Sequence, residues 1–243
     1  MTKHQFNKDA LTRLLYWIKT REAARIAKGS GQPRPWTKDP IISKYRFCNV
    51  RRNDDRVTEW IHQNWLIPYA GDPNLWFAMV VARLVNWPDT LDDLTGAVFN
   101  LMRRGRRRDH EVMWNPVYFV DIMHHRRDAG HKVFSGAYIV STNGNKMDKA
   151  EYLATRVLDP LWAARANAMM HNLQAFHGWL TTFDGMGSFM AGQVVADIKY
   201  DTQGSLHNAE DWLSFAVPGP GSLRGMARLI HGDCDPEDRA TSV

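Results

Sequence analysis

Cysteine is scarce: only Cys48 and Cys234 occur in 243 residues. A chain so poor in thiols reads as reduced and cytoplasmic. Its first 29 residues show neither an apolar stretch nor a small-residue cleavage site, which agrees with that expectation. Cys48 lies among apolar and aromatic neighbours and reads as a packing residue. No run reaches the roughly 18 uninterrupted apolar residues of a membrane helix. The pattern GxxxxGK followed by Ser or Thr is absent, which speaks against a phosphate-loop kinase. The HxE and PCxxC elements of zinc deaminases are missing too, and the ten histidines show no metal-ligand spacing. No internal repeat or low-complexity linker interrupts the chain.

What is present is apolar mass and positive charge. Hydrophobic residues make up 44% of the chain, with ten Trp and ten Phe, enough for a sizeable core. The net charge is +5. Basic residues gather at 51–56 (RRNDDR), 103–108 (RRGRRR) and 124–127 (HHRR). Such clusters suit a polyanion, because neutralising phosphates releases counterions. A solvated face with structural Arg pairs gives the same pattern.

Apolar spacing predicts a mostly helical chain. Residues 8–28 read as an amphipathic helix with a basic outer face. The spacing predicts further helices over 53–65, 73–87 and 90–104. Pro73 suits a first turn, and Thr90 reads as a cap. Residues 132–146 (KVFSGAYIVSTNGNK) break this rhythm. They read as a short β element, either a hairpin turning at Asn143-Gly144 or an extended segment lining a site. Helical patterns resume at 148–171, 172–183 and 188–200, and again after the Pro/Gly loop at 217–221. The expected organisation is a basic N-terminal helix and loop (1–40), a helical body (41–232) and a polar tail (233–243). The body has room for two lobes meeting near 130–170.

Three motifs carry chemistry. In FDGMGSFMAGQVVADIKY (183–200), Gly185 and Gly187 allow a tight corner between two helices. Met186 tucks between the helices, and Ala191 lets them approach closely. This is the helix-hairpin-helix arrangement, in which backbone N–H groups at a helix start face an anion such as a DNA phosphate. Gly185, Gly187 and Ser188 are the candidate phosphate contacts. A plain corner between helices is the alternative. Asp197 sits on the second helix beside Lys199. It needs a partner, either one of the many arginines or an extruded base above it. VPGPGSLRG (217–225) is a second glycine-rich helix start, where Gly219, Gly221 and Arg224 can hold phosphate. YRFCNVRRNDDRVTEW (45–60) packs Arg46, Asn49, Arg51, Asp55 and Arg56 among aromatics. Its guanidinium groups suit a pyrophosphate and Asn49 a base edge. An Arg–Asp network that fastens a loop is the other reading.

YRFCNVRRNDDRV, KVFSGAYIV, GMGSFMAGQVVADIKY and PGPGSLRG occur in that order. Together they resemble the phage alpha-glutamyl/putrescinyl thymine pyrophosphorylase family. Its members are amino acid:DNA transferases related to the helical domain of 5-hydroxymethyluracil DNA kinases. The resemblance covers roughly residues 40–230. It implies a helix-hairpin-helix fold like that of DNA glycosylases and an infected bacterial host. The implied reaction displaces pyrophosphate from 5-(pyrophosphoryloxymethyl)uracil in DNA with an amino acid's amine, glycine being the donor to try first. The implied partners are the pyrophosphorylated DNA, a free amino acid and a 5-hydroxymethyluracil DNA kinase. No cofactor or metal is required. Arg46, Arg51, Arg56, Lys199 and Arg224 are then candidates to hold the leaving pyrophosphate. Asn49, Tyr138 and Gln193 are candidates for the uracil or the donor carboxylate. Asp197 or Asp211 would take the amine's proton, and Asp55 is a third candidate acid. Two rivals share these features: a base-excision glycosylase, and a non-catalytic DNA-binding partner of the kinase.

Overall fold

A computed structural model describes residues 6–99, 112–138, 140–142 and 144–232. The RRGRRR cluster, Asn143, Cys234 and the polar tail lie outside the described residues. The helices, in chain order, are α1 (Lys8–Gly29), α2 (Pro40–Lys44), α3 (Arg56–Ile61), α4 (Leu75–Val85), α5 (Pro88–Val98), α6 (Pro116–Asp128), α7 (Lys149–Tyr152), α8 (Asp159–Ala163), α9 (Leu173–Leu180), α10 (Ser188–Ile198) and α11 (Pro220–His231). A π-helical turn, His62–Leu66, extends α3, and another, Leu153–Leu158, joins α7 to α8. The fold is mostly helical. Among the described residues the only β feature is one antiparallel bridge, Phe99 to Val112. No described helix is long and apolar enough to cross a membrane.

The chain forms two compact units, residues 1–55 with 218–243, and residues 56–217. The division falls at 55–56 and 217–218, outside the 130–170 region. In the smaller unit α1 packs against α11. Asn7 caps α1 by accepting from the Ala10 amide, and its own N–H donates to the Leu229 carbonyl at 2.7 Å. α1 buries little of its apolar stripe: Ala10 and Arg21 are inside, while Leu15, Ile18 and Ile26 stay about half exposed. Arg21 lies over the Trp17 ring and donates to the Cys48 carbonyl. That contact fastens segment 46–48 to α1. The Cys48 side chain is exposed, so it is not the packing residue its neighbours implied.

The larger unit is organised around α4, all eleven residues of which are buried. Its stretch LWFAMVVARLV has no polar face, so it must be covered on every side. α10 packs along it. Arg83 is the one charge in α4, and it is wholly buried with Asp197 of α10. Arg83 Nη2 donates to Asp197 Oδ1 at 2.8 Å and to Thr58 Oγ1 at 2.9 Å. Arg83 Nε donates to Asp197 Oδ2, and Nη1 to Asn86 Oδ1 at 3.3 Å. α5 begins at Pro88, earlier than the sequence spacing implied. Thr90 is buried within its first turn and donates to the Val133 carbonyl instead of capping.

Candidate functional site: the glycine corner

α9 and α10 pack together and are joined by residues 181–187. Backbone bonds tighten this corner, among them Phe183 N to Leu180 O at 3.2 Å and Met186 N to Phe183 O at 3.1 Å. Met186 and Ala191 are fully buried, as the sequence implied. Gly185 has φ of +75°, where a side chain is disfavoured, and a Cβ there would stand 3.0 Å from Val157. Val157 belongs to the π-helical turn beneath. Gly187 is the residue before α10, and no side chain caps that helix. The first N–H groups of a helix lack intrahelical partners, so they face outward here with the positive end of the helix dipole. His177 of α9 stands beside this start, its Nε2 3.0 Å from the Ser188 carbonyl oxygen.

The corner forms one wall of a cavity of about 730 Å³. Gly185, Gly187, Ser188 and Phe189 line that wall, and Gly136, Tyr138 and Ser141 line the other. The 132–142 segment thus lines the cavity, with bends and no strand across its described residues; the expected turn at Asn143-Gly144 includes Asn143, outside the described residues. Tyr138 has φ of +55°, unusual for a bulky residue. Its hydroxyl reaches Gln193 Oε1 at 3.3 Å, and its ring centroid lies 5.3 Å from that of Phe189.

The placement of this lining traces back to the core. Asn86 ends α4 at φ of +51°, a conformation asparagine tolerates. Its Nδ2 donates to Ser135 Oγ at 3.2 Å, and the Ser135 amide donates to the Val85 carbonyl. Ser135 Oγ then donates to the Ala137 carbonyl at 2.6 Å. A chain of hydrogen bonds thus runs from Asp197 through Arg83, Asn86 and Ser135 to the residue before Tyr138.

The sequence candidates divide accordingly. Gly185, Gly187, Ser188 and Tyr138 share the cavity, with Gln193 behind Tyr138. Asp197 does not reach it as an open carboxylate. It is fully buried against Arg83, so the arginine-pair reading is the one the geometry matches. Asp211 spends its carboxylate at the start of α9, accepting from the Leu173 amide at 2.9 Å and the Gln174 amide at 2.8 Å. Lys199 lies over the Trp212 ring, 4.1 Å from its centroid, and Arg56 begins α3; neither lines the cavity.

Arg46, Asn49, Arg51 and Asp55 belong to the smaller unit, with Arg224, Gly219 and Gly221 on α11 and its start. Arg46, Asn49 and Arg224 are exposed. Arg51 pairs with Glu22 at 2.6 Å, and Glu22 also takes Arg25 at 2.7 Å. Hydrogen bonding from Arg25, then from Arg51, holds the Glu22 carboxyl down at about 2. A depressed carboxylate stabilises the fold above its ordinary range, and that contribution is lost as pH falls from 4.5 toward 2. An NMR titration is expected to show Arg51→Ala raising the Glu22 pKa only part of the way, because Arg25 remains. An unchanged titration would free Arg51 from this pair.

The family described as "5-hmdU DNA kinase, helical domain" matches residues 8–242. The chain belongs to this family. A 5-hmdU DNA kinase of Bacillus phage SP10 is 27% identical over 218 residues, covering 81% of this chain and 32% of that protein. The chain therefore spans about a third of that relative's length. No solved structure matches. Sequence reasoning passed over Arg83, Asn86, Ser135, His177 and Phe189. Arg83 had a signal: it is the sole charge in one apolar helix, facing a lone acid in another.

Proposed function

We propose that this helical domain engages viral DNA bearing 5-(pyrophosphoryloxymethyl)uracil and transfers an amino acid's amine to the base, releasing pyrophosphate. The observation that carries this reading is the convergence of the glycine corner, Ser188 and Tyr138 on one cavity, in a chain that belongs to the 5-hmdU kinase helical-domain family. α9, the corner and α10 work as a helix-hairpin-helix of the kind DNA glycosylases use. The α10 start takes a backbone phosphate. Tyr138 stands toward the base, with Gln193 bracing its hydroxyl from behind. Arg56 and Lys199 are the candidate cations of this unit for the leaving pyrophosphate; Arg46, Arg51 and Arg224, with Asn49, Gly219 and Gly221, are candidate anion contacts of the smaller unit, considered by itself. The amine attacks the methylene carbon as the carbon–oxygen bond to pyrophosphate breaks, and one proton leaves the nitrogen. The leaving group is already activated, so positioning and charge neutralisation supply most of the catalysis. Asp55, Asp197 and Asp211 are the candidate acids for the proton; Asp197 bonds to Arg83 and Asp211 to the start of α9.

One observation favours a second reading, a domain that presents DNA to a separate kinase: Asp197 and Asp211 both spend their carboxylates on protein partners. The deciding experiment is mass spectrometry of nucleosides from pyrophosphorylated DNA treated with the protein and mixed amino acids. Transfer gives released pyrophosphate and a heavier nucleoside. Bound DNA without pyrophosphate release sinks the transferase and leaves the presenting domain. Abasic sites indicate a glycosylase.

A further inference from the structure

We propose that Phe189, paired with Tyr138, is a stacking platform for one unpaired nucleobase, so that the cavity takes single-stranded or locally opened DNA in preference to intact duplex. This rests on the reading of the cavity as a DNA site and specifies what enters it. A lone exposed phenylalanine is common on protein surfaces. Phe189 differs in three respects. It is 59% exposed in the first turn of α10, it lines the cavity, and its ring lies at 32° to that of Tyr138. Tyr138 in turn is held in a backbone conformation that bulky residues seldom adopt. The Gln193 contact on its hydroxyl and the Ser135–Ala137 bond before it keep it there.

The lining is chemically selective. Among the described residues it carries no charged side chain; its polar groups are backbone and the hydroxyls of Tyr138, Ser141 and Ser188. A neutral planar ring with donors and acceptors on its edge finds both stacking and hydrogen bonds, and a nucleobase is such a ring. The two aromatic centroids are 5.3 Å apart. A base inserted between them needs two stacking gaps of about 3.5 Å each. The base therefore lies on the outer face of Phe189, with the Tyr138 ring backing it. A base within duplex has both faces covered by its neighbours, so it reaches this surface only when unpaired.

The test uses oligonucleotides carrying 2-aminopurine at one position, as a single strand and as a duplex with thymine opposite. Single-stranded DNA is expected to bind about tenfold tighter than duplex, with 2-aminopurine emission quenched on binding. Phe189→Ala is expected to weaken single-strand binding about tenfold and abolish the quench, while duplex binding is unchanged. Phe189→Tyr retains both properties and Phe189→Leu loses both. Circular dichroism should be unaltered, because the side chain is mostly exposed. Equal affinity for the two forms, indifferent to Phe189→Ala, overturns the platform and leaves the DNA reading standing. Failure of the wild-type chain to bind either form overturns both.

Discussion

Replacing Asp197 by Asn is expected to destabilise the larger unit by about 3–5 kcal/mol, because it leaves a guanidinium buried without its counter-charge. Arg83 and Asp197 are both fully buried. Urea denaturation followed by tryptophan fluorescence measures the effect. The informative companion is the double variant Arg83→Met, Asp197→Leu. Removing both charges together is expected to restore most of the lost stability, since a well-packed apolar pair often matches a buried ion pair. Equal damage from single and double variants would show that the individual hydrogen bonds to Thr58 and Asn86, not the charge balance, hold the site. The series also bears on catalysis. If Asp197 is structural, the double variant keeps its DNA affinity to the extent that it keeps its fold. If Asp197 takes the amine's proton, turnover stays lost in a folded protein.

Gly185→Ala is expected to lower stability by about 2–3 kcal/mol, with Gly187→Ala nearly silent. The two glycines sit in one short corner but face different demands. Gly185 combines φ of +75° with Val157 3.0 Å from any added Cβ. Gly187 has φ of −61° and nothing within 4 Å of that position. Thermal or urea midpoints separate them, and DNA affinity provides a second readout. Gly185→Ala should weaken binding through a displaced corner, whereas Gly187→Ala leaves the wall in place. A silent Gly185→Ala would mean that the corner relaxes freely and sets nothing in the cavity.

The elements were largely legible because their causes are local. Apolar residues without a polar face announced α4 as a buried helix, and Asn172 and Asp148 cap the helices they precede; α6, capped by Asn115, was passed over. Gly-Met-Gly between two helical patterns gave the corner and the burial of Met186. The cavity was only half legible. Tyr138 and Ser188 lie 50 residues apart, and periodicity says nothing about which distant segments meet. Asp211 illustrates the same gap. Its capping of α9 acts across nearly 40 positions, so it reads in sequence as a spare acid. The 132–142 segment looked β-rich by composition, yet its backbone bonds go to Val85 and to the side chains of Thr90, Arg126 and Ser135, and no partner strand pairs with it among the described residues. Tertiary contact overrode β propensity there.

The hydrogen bonds from Asn86 to Ser135 tie the cavity lining to the last turn of the most buried helix. The recess is therefore not an independent module resting on a scaffold. A substitution that rotates α4 by a fraction of a turn re-aims Tyr138 without touching it. Tuning this recess toward another substrate, by evolution or by engineering, thus runs through residues that never meet the substrate.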